Sequence, residues 1–320
     1  MLEIKKNITI APHTSIKIGG PALYFAKITD PADLIKLFKK IKTSRLPFVI
    51  IGGLSNLLFD SRGFKGWIIK IDIQEITQKN NQFIVGAGAI LSNLIQAATL
   101  GGYGGLHRLI GIPGTVGGAI RGNAGRNNTQ ISDFLTSIRI FDAQKNKFFN
   151  LDPKDCRFQY RSSLFSGNPH HVIIQAVFSL EKKQKQITQK EIEEIIKITR
   201  DKPYNHYPSA GSIFKNISLK SIPDKEKRKT LLQSFIQKQK PEKPQSITAI
   251  PAGFLIESAG LKGAQINQAQ ISPQHGNIII NLGRASSSDV LRLIELAKEK
   301  VKQAWNIELE EEIIIIKSAF

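Results

Sequence analysis

The sequence predicts an α+β protein, because helix and strand patterns alternate along only part of the chain. Apolar residues recur three and four positions apart at 34–41 and again at 290–301, which is typical of helices that bury one face. Between 134 and 178, three stretches rich in β-branched and aromatic residues follow one another with no helical pattern between them. Consecutive strands of this kind favour α+β over a doubly wound parallel sheet.

The first half of the chain begins with a mixed pattern of strands and helices. Asp30 and Pro31 predict the start of a helix, with an N-cap and a proline at its first position. Buried strands are expected at 47–53, 67–71 and 83–86, and a second helix at 90–100. The three stretches that follow predict strands at 134–141, 147–151 and 172–178.

A further helix is expected near Thr188. Thr188 and Glu191 have the spacing of a capping box, and Ile187 is placed to staple onto Ile192. The side chains predicted to face inward are Ile192, Ile195, Ile196 and Thr199.

The polar run at 201–207 predicts a domain boundary. It divides the chain into residues 1–200 and a smaller α+β part at 201–320, which ends in a helix from about Ser287 and a strand at 313–316. A basic segment at about 217–250 looks like an insertion in the second part.

Composition indicates a soluble globular protein that works in a reducing compartment. The chain has 320 residues, of which 41% are hydrophobic, and Cys156 is its one cysteine, so no internal disulfide is possible. The start of the chain has no apolar stretch long enough for a signal peptide, and no window is apolar enough to span a bilayer. We therefore expect a cytoplasmic protein with no membrane partner and no metal.

The formal net charge of +19 is compatible with an anionic partner. Lysines are spread along the whole length without interleaved aromatic residues, and even the densest basic stretch, at 218–243, reads as a solvated helix or loop. Nucleic acid is accordingly not expected as the main partner, whereas an anionic small substrate is compatible with this charge.

Ten of the 25 glycines fall within residues 101–125. Glycine is used where the backbone takes a positive φ or lies against a ligand, and it weakens ordinary helices and strands. The run also carries Leu106, Leu109, Ile110 and Val116, which a flexible linker would lack. It is therefore expected to be ordered and to support a bulky group.

Three glycine-rich turns in the first part could cradle a diphosphate with clustered backbone N–H groups. A Rossmann fingerprint is not present, because Leu91 stands where the third small residue of the 86–91 turn would be. The turns point instead to a dinucleotide bound in an extended pose. Their candidate binding residues are Gly52, Gly53, Ser55, Asn56, Gly86, Gly88, Ile112, Pro113, Gly114, Thr115, Gly117 and Gly118.

The order of motifs resembles that of the bacterial UDP-N-acetylenolpyruvoylglucosamine reductases. The two most specific stretches are GIPGTVGGA at 111–119 and GSIFKN at 211–216. The others are TSIKIGGPA at 14–22, GGLSNLL at 52–58, VGAGA at 85–89, YRSS at 160–163, LIESAGLKG at 255–263 and LEEEI at 309–313. They stand in family order and cover nearly the whole chain.

This resemblance implies a two-part FAD-binding domain of the vanillyl-alcohol-oxidase type, with its two lobes divided near residue 73, followed by a substrate-binding domain. It implies a flavoenzyme of peptidoglycan biosynthesis in which NADPH reduces the flavin and leaves. The enolpyruvyl sugar nucleotide then takes its place and is reduced to UDP-N-acetylmuramate. No evident counterpart of a substrate-clamping loop is present, which suggests the loop-less subtype, and a monomer is expected.

Three residues match the family's catalytic positions. Arg161 is the implied cation facing the enolate, Ser212 the implied proton donor, and Glu312 the carboxyl that helps to stabilise the enol. Fixed charge of this kind lowers the barrier to a reaction that develops negative charge. By position and charge, the expected substrate-binding residues are Tyr160, Lys202, Asn216 and Lys262.

The chain also departs from the family pattern on the expected flavin side. Leu54 stands where glycine is usual, Arg126 interrupts a motif that normally continues Ala-Tyr-Gly, and His107 replaces a common acid. Two alternatives therefore stay open at this point. One is a flavin oxidase or dehydrogenase of the same superfamily with another substrate, and the other is a binding protein on a decayed flavin scaffold.

Overall fold

A computed structural model describes residues 2–200, 206–241 and 247–318. Its helices are α1 (Ala32–Ser44), α2 (Leu91–Leu100), α3 (Val116–Arg121), α4 (Leu164–Gly167), α5 (Lys185–Arg200), α6 (Lys225–Gln239), α7 (Ala252–Ser258) and α8 (Ser287–Trp305). Its strands are β1 (Glu3–Thr9), β2 (Pro21–Ile28), β3 (Phe48–Ile51), β4 (Leu57–Phe59), β5 (Phe64–Ile71), β6 (Ile76–Lys79), β7 (Gln82–Gly86), β8 (Gly125–Arg126), β9 (Thr129–Gln130), β10 (Leu135–Asp142), β11 (Lys147–Leu151), β12 (His171–Ser179), β13 (Ser209–Ser212), β14 (Ile217–Ser218), β15 (Ala249–Ile250), β16 (Gln265–Ile266), β17 (Ala269–Ile271), β18 (Ile278–Asn281) and β19 (Ile314–Ile316).

The part before residue 200 contains two larger sheets. The first has the order β1-β2-β5-β3 and is mixed, because β1 runs antiparallel to β2 while β2 and β3 both run parallel to β5. The second is antiparallel, with the order β11-β10-β12-β7-β6. A single hydrophobic core joins α1, α2 and side chains of both sheets, including Leu37, Ile69, Phe83 and Phe178.

The part after residue 206 has its own core, built on the sheet β13-β18-β17-β16. Leu255 of α7 and Leu293 of α8 are fully buried against it. The basic segment predicted as an insertion contains α6 and is closed at its base by pairing of β14 with β15. Leu231 of α6 is fully buried in the same core, and the ring of Phe235 packs edge-on against Phe254 with centroids 5.1 Å apart.

The C-terminal strand returns to the first part of the chain. β19 pairs in parallel with β4, so Ile314 lies beside Leu57. This pairing brings the acidic stretch before β19 next to the glycine-rich turn that precedes β4. The topology therefore joins two regions that are more than 250 residues apart in sequence.

Most of the predicted elements are confirmed, and so is the α+β class. The first helix begins at Ala32, with Pro31 at helical angles and the Asp30 carboxylate accepting from the Ala32 N–H at 2.9 Å. The helix predicted at 90–100 is α2, and the helix expected from about Ser287 is α8, capped by the Ser286 side chain. The glycine-rich run is ordered and contains α3.

The prediction for α5 was wrong at its start. The helix begins at Lys185, and Thr188 lies one turn inside it, where its hydroxyl donates to the Gln184 carbonyl at 3.2 Å. The Glu191 carboxylate is drawn away from the helix by Lys183. Ile187 and Ile196 are exposed, so Ile196 does not belong to the inward face. Along the described residues, no helix is both long and apolar enough to cross a bilayer.

Candidate active site

Two of the glycine-rich turns lie in contact with each other. A Cβ on Gly52 would come within 2.3 Å of the Thr115 hydroxyl, and one on Gly53 within 2.7 Å of the Gly114 Cα. The Ser55 hydroxyl donates to the Pro113 carbonyl at 3.3 Å. Only glycine allows the two turns to approach this closely, and together they form a glycine-walled cradle.

Several backbone donors in this cradle make no hydrogen bond to the part of the chain that the structure describes. Across the described ranges, none of the hydrogen bonds uses the N–H groups of Gly53, Ser55, Asn56 or Thr115. Thr115 is only 6% exposed, so its N–H is also shielded from solvent. Buried donors are normally paired, and convergent free N–H groups suit phosphate oxygens. The arrangement fits the pyrophosphate of a dinucleotide.

The third glycine-rich turn has a different environment. Gly86 and Gly88 are buried against residues 72–73, where Cβ atoms would meet Ile73 and Asp72 at 2.2 and 2.6 Å. The N–H of Gly88 donates to the Ile73 carbonyl, and that of Gly117 to the Ala87 carbonyl. The glycines of this turn allow close packing between the two sheets, and these N–H groups are already engaged.

A cavity of about 120 Å³ continues from the cradle between β3 and β12. Gly52, Thr115, Gly117 and Gly118 line one side, and apolar side chains line much of the rest. Arg121 and His171 supply polar groups that the sequence reasoning missed. The Arg121 guanidinium donates to the Ser166 carbonyl at 3.3 Å, and burial lowers its pKa.

His171 lines this cavity, and its Nε2 lies 3.8 Å from Oδ2 of Asp142, while its Nδ1 is buried and meets no hydrogen-bond partner among the described residues. Arg121 stands two positions after the GIPGTVGGA stretch and could have been suspected on that ground. The sequence around His171 carries no comparable signal.

The structure brings Arg161 and Glu312 into direct contact. The Nε of Arg161 lies 2.7 Å from Oε1 of Glu312, and its Nη1 donates to the Gly125 carbonyl at 3.1 Å. Both side chains are largely shielded from solvent, at 26% and 19% exposure. Burial raises the pKa of Glu312, while the positive charges of Arg161 and Lys215 act against that rise.

Backbone hydrogen bonds hold Glu312 next to the Ser212 segment. The N–H of Glu312 donates to the Ile213 carbonyl at 2.8 Å, and the Asn56 side chain donates to the Glu312 carbonyl at 3.0 Å. Ser212 ends β13 and is exposed, immediately after Gly211 at φ +76°. Arg161 and Glu312 are thus in contact, and Ser212 directly precedes Ile213, whose carbonyl accepts from the Glu312 N–H.

The predicted substrate-binding residues that the structure describes have different settings. The Arg161 guanidinium stands 5.2 Å from the ring centroid of exposed Tyr160. The Asn216 carbonyl oxygen accepts from the Ala252 N–H at 3.3 Å, and Lys262 pairs with Glu257 at 3.3 Å. Lys202 lies outside the described residues.

Lys215 was not predicted, although it belongs to the GSIFKN stretch. It forms an ion pair with Glu310, and its charge is close enough to lower the pKa of Glu312. A cation at this position adds to the positive charge of Arg161 near Glu312.

The departures from the family pattern are accommodated locally. Leu54 is 5% exposed and adopts φ +55°, a left-handed conformation that is strained for leucine. Arg126 donates to the Ile110 carbonyl at 3.0 Å, next to the glycine-rich motif. Leu54 is thus buried, and Arg126 bonds to the backbone. Neither residue is among those that line the cavity beyond the cradle.

His107 is buried and linked to α5. Its Nδ1 accepts from the Gly105 N–H at 3.1 Å, which leaves Nε2 as the protonated atom facing Glu191 at 2.5 Å. Burial lowers the pKa of His107, consistent with a neutral ring. The residue therefore ties α5 to the glycine-rich run.

Known proteins resemble this chain over its full length. A family model for the C-terminal domain of UDP-N-acetylenolpyruvoylglucosamine reductase matches residues 202–316, and an FAD binding domain model matches residues 22–146. The reductase from Chlamydia muridarum is 35% identical over 315 residues, covering 98% of this chain and 95% of the relative. The reductase from Synechococcus is 33% identical over 318 residues, covering 99% and 92%.

A solved structure gives the same correspondence in three dimensions. The UDP-N-acetylenolpyruvylglucosamine reductase from Thermus caldophilus superposes with a TM-score of 0.75 at 27% identity. The match covers 99% of this chain and 100% of that one. Both parts of the chain are therefore shared with these reductases.

Proposed function

The chain belongs to the UDP-N-acetylenolpyruvoylglucosamine reductase family, and from that premise we propose that it uses NADPH and bound FAD to reduce UDP-N-acetylglucosamine enolpyruvate to UDP-N-acetylmuramate. The observation that carries the proposal is the network in which Arg161, Glu312 and the Ser212 segment meet. These residues lie on elements far apart in sequence. The free backbone donors at 53–56 directly precede β4, the strand that pairs with β19 after Glu312.

The cradle supplies the cofactor-binding part of this proposal. Gly52, Gly53, Ser55, Asn56 and Thr115 would hold the pyrophosphate of FAD through backbone and hydroxyl donors. The cavity beyond them, with apolar walls and the polar groups of Arg121 and His171, suits a flat heterocycle of the same dinucleotide. When bound, FAD supplies hydride chemistry, with NADPH as the source of the hydride.

The catalytic residues act on the enolpyruvyl group. Saturating its double bond requires a hydride at one carbon and a proton at the other, and negative charge develops on the conjugated carboxylate. Arg161 is the fixed cation for that charge, oriented on two sides by Glu312 and the Gly125 carbonyl. Because burial raises the pKa of Glu312, its carboxyl is suited to sharing a proton with the developing enol.

Ser212 is the proposed proton donor. A serine hydroxyl is a weak acid, so it can protonate carbon only when the acceptor is a strong base and water is excluded. Ser212 is exposed in the free protein, and a bound substrate would cover it. Asn216, Lys262 and Lys202 are the proposed anchors for the substrate diphosphate, with Lys215 adding positive charge nearby.

The proton-donor role is tested with Ser212→Ala in the holoenzyme. We expect NADPH to bleach the flavin band at the wild-type rate, while recovery of the band on adding the enolpyruvyl substrate slows by about 100-fold or more. Ser209→Ala on the same strand is the matched control and should leave both rates unchanged. Loss of both half-reactions, or an unaltered recovery rate in Ser212→Ala, would refute the assignment.

Two further expectations belong to this proposal. The cytoplasm is the expected compartment, because both substrates are soluble nucleotides, and a monomer is the expected state. The domain boundary near 201 remains a prediction from the sequence.

A further inference from the structure

Asn277 is a buried polar residue that the reaction does not use directly. It immediately precedes β18 and is 3% exposed. Its side-chain amide pairs with the backbone of Phe214 on both sides: Oδ1 accepts from the Phe214 N–H at 2.9 Å, and Nδ2 donates to the Phe214 carbonyl at 2.8 Å. The Asn277 backbone carbonyl also accepts from the Ile213 N–H at 2.9 Å.

These three hydrogen bonds act at a place where the sheet is irregular. The register between β13 and β18 shifts between Ser209 and Ser212, and Gly211 adopts a positive φ in that interval. Ladder pairing resumes only at Ser212, which lies opposite Ile278, so beyond the shift a single residue pair holds the end of β13. The amide of Asn277 acts there as a peptide group would, and it continues the pairing past Ser212.

The same segment also determines the distance between Ser212 and the catalytic carboxyl. The Ile213 carbonyl accepts from the N–H groups of Glu312 and Ile313, at 2.8 and 3.3 Å. Ile213 is therefore held by Asn277 on its N–H side and by the Glu312 strand on its carbonyl side. Rotation of this peptide would move Ser212 relative to both Glu312 and Arg161.

We propose that Asn277 is a positioning residue, whose side-chain amide holds the 213–214 backbone so that the Ser212 hydroxyl faces the carbon to be protonated. This inference rests on the proposed function, because it takes Ser212 as the proton donor. Catalysis is sensitive to displacements of about 1 Å, so losing the amide pairing should slow proton delivery without touching the reacting atoms.

The chain contains a matched control on the same strand. Asn281 ends β18 and is 2% exposed. Its Nδ2 donates to the Ile16 carbonyl at 3.0 Å, and its Oδ1 accepts from the N–H groups of Gly283 and Ala285. Asn281 is thus an asparagine as buried as Asn277, and its side chain makes at least as many hydrogen bonds. Its side chain does not bond to the Ser212 segment.

The experiment compares Asn277→Asp and Asn281→Asp as FAD-loaded proteins by stopped-flow absorbance. Asn277→Asp keeps the side-chain shape and loses the Nδ2 donor. We expect flavin reduction by NADPH to stay within about twofold of wild type, and reoxidation by the enolpyruvyl substrate to slow by about tenfold or more. The solvent deuterium isotope effect on reoxidation should rise, because proton delivery becomes more strongly rate-limiting. Asn281→Asp should change neither rate, even if it lowers the melting temperature as much as Asn277→Asp does.

A double-mutant cycle with alanine keeps the inference falsifiable if Asn277→Asp does not fold. Asn277→Ala should slow reoxidation in the wild-type background and have no further effect in Ser212→Ala, because residues that act as a unit are not additive. Equal slowing in both backgrounds, equal slowing of both half-reactions, or no slowing at all would overturn the positioning role. If Ser212→Ala itself leaves reoxidation unchanged, the proton-donor assignment fails instead.

Discussion

At the scale of single residues, Glu312 combines burial with two neighbouring cations. Burial disfavours its carboxylate form, whereas Arg161 and Lys215 favour that form, and the result is a raised pKa. A glutamate held only by an exposed ion pair would shift the other way. The direction of the shift therefore reports that desolvation dominates at this position.

This shift predicts a pH dependence of stability. The folded protein holds the Glu312 proton more tightly than the unfolded chain does. The contribution of Glu312 to the free energy of unfolding is therefore complete below its ordinary pKa of 4.5. This contribution is lost as the pH rises through the raised pKa that Glu312 has in the folded protein. We expect the free energy of unfolding of wild type, relative to Glu312→Gln, to fall as the pH increases across that window.

Urea denaturation at a series of pH values measures this difference directly. A difference that stays constant with pH would show that the folded and unfolded states bind the Glu312 proton equally. A difference that grows with pH would show that the ion pair with Arg161 outweighs burial.

Residue identity alone predicted some site residues and not others. Arg161, Ser212 and Glu312 stand inside recognisable motifs. In the structure Arg161 contacts Glu312, and the residue after Ser212 is hydrogen-bonded to Glu312. His171 lines the candidate cofactor cavity only because α3 and β12 meet there, and that contact leaves no mark in its local sequence, whereas Arg121 stands close to a recognisable motif. Lys202 lies outside the described residues.

At the scale of elements, the basic segment at 217–250 adds a helix to the second core. α6 presents Leu231 inward, fully buried, and most of its lysines outward. Its sequence reads as a solvated helix because only part of one face is apolar. Packing of Leu231 and Phe235 explains how so polar a segment stays attached.

Leu231→Ala should lower the free energy of unfolding by about 2–5 kcal/mol, through lost burial and the remaining cavity. Gln233→Ala on the exposed face of the same helix is the control and should change it by less than about 0.5 kcal/mol. Both variants are compared by chemical denaturation of the holoenzyme. A Leu231→Ala effect no larger than that of the control would mean that α6 is not part of the cooperative core.

Helix boundaries show where local pattern fails. The spacing of Thr188 and Glu191 predicted a capping box, yet Glu191 pairs with His107 of the glycine-rich run and with Lys183, just before α5. Tertiary partners outweighed the local signal there. Where the capping side chains keep their local bonds, as at Asp30 and Ser286, the predicted helix starts hold to within two residues.

At the scale of the whole molecule, the site depends on contacts between distant segments. The parallel pairing of β19 with β4 and the hydrogen bond from Asn56 to the Glu312 carbonyl join the candidate FAD cradle to the proposed catalytic residue Glu312. Sequence predicted the strands and the motifs, but nothing in a strand's own pattern specifies a partner more than 250 residues away. The family resemblance, rather than periodicity, supplied the global arrangement.

The central claim is that this chain is an FAD-dependent reductase of the enolpyruvyl sugar nucleotide. The most direct measurement is the visible spectrum of the purified protein under anaerobic conditions, before and after NADPH and then the substrate are added. We predict a flavin band that NADPH bleaches and UDP-N-acetylglucosamine enolpyruvate restores. No flavin band even after incubation with FAD, or a bleached band that this substrate fails to restore, would contradict the claim.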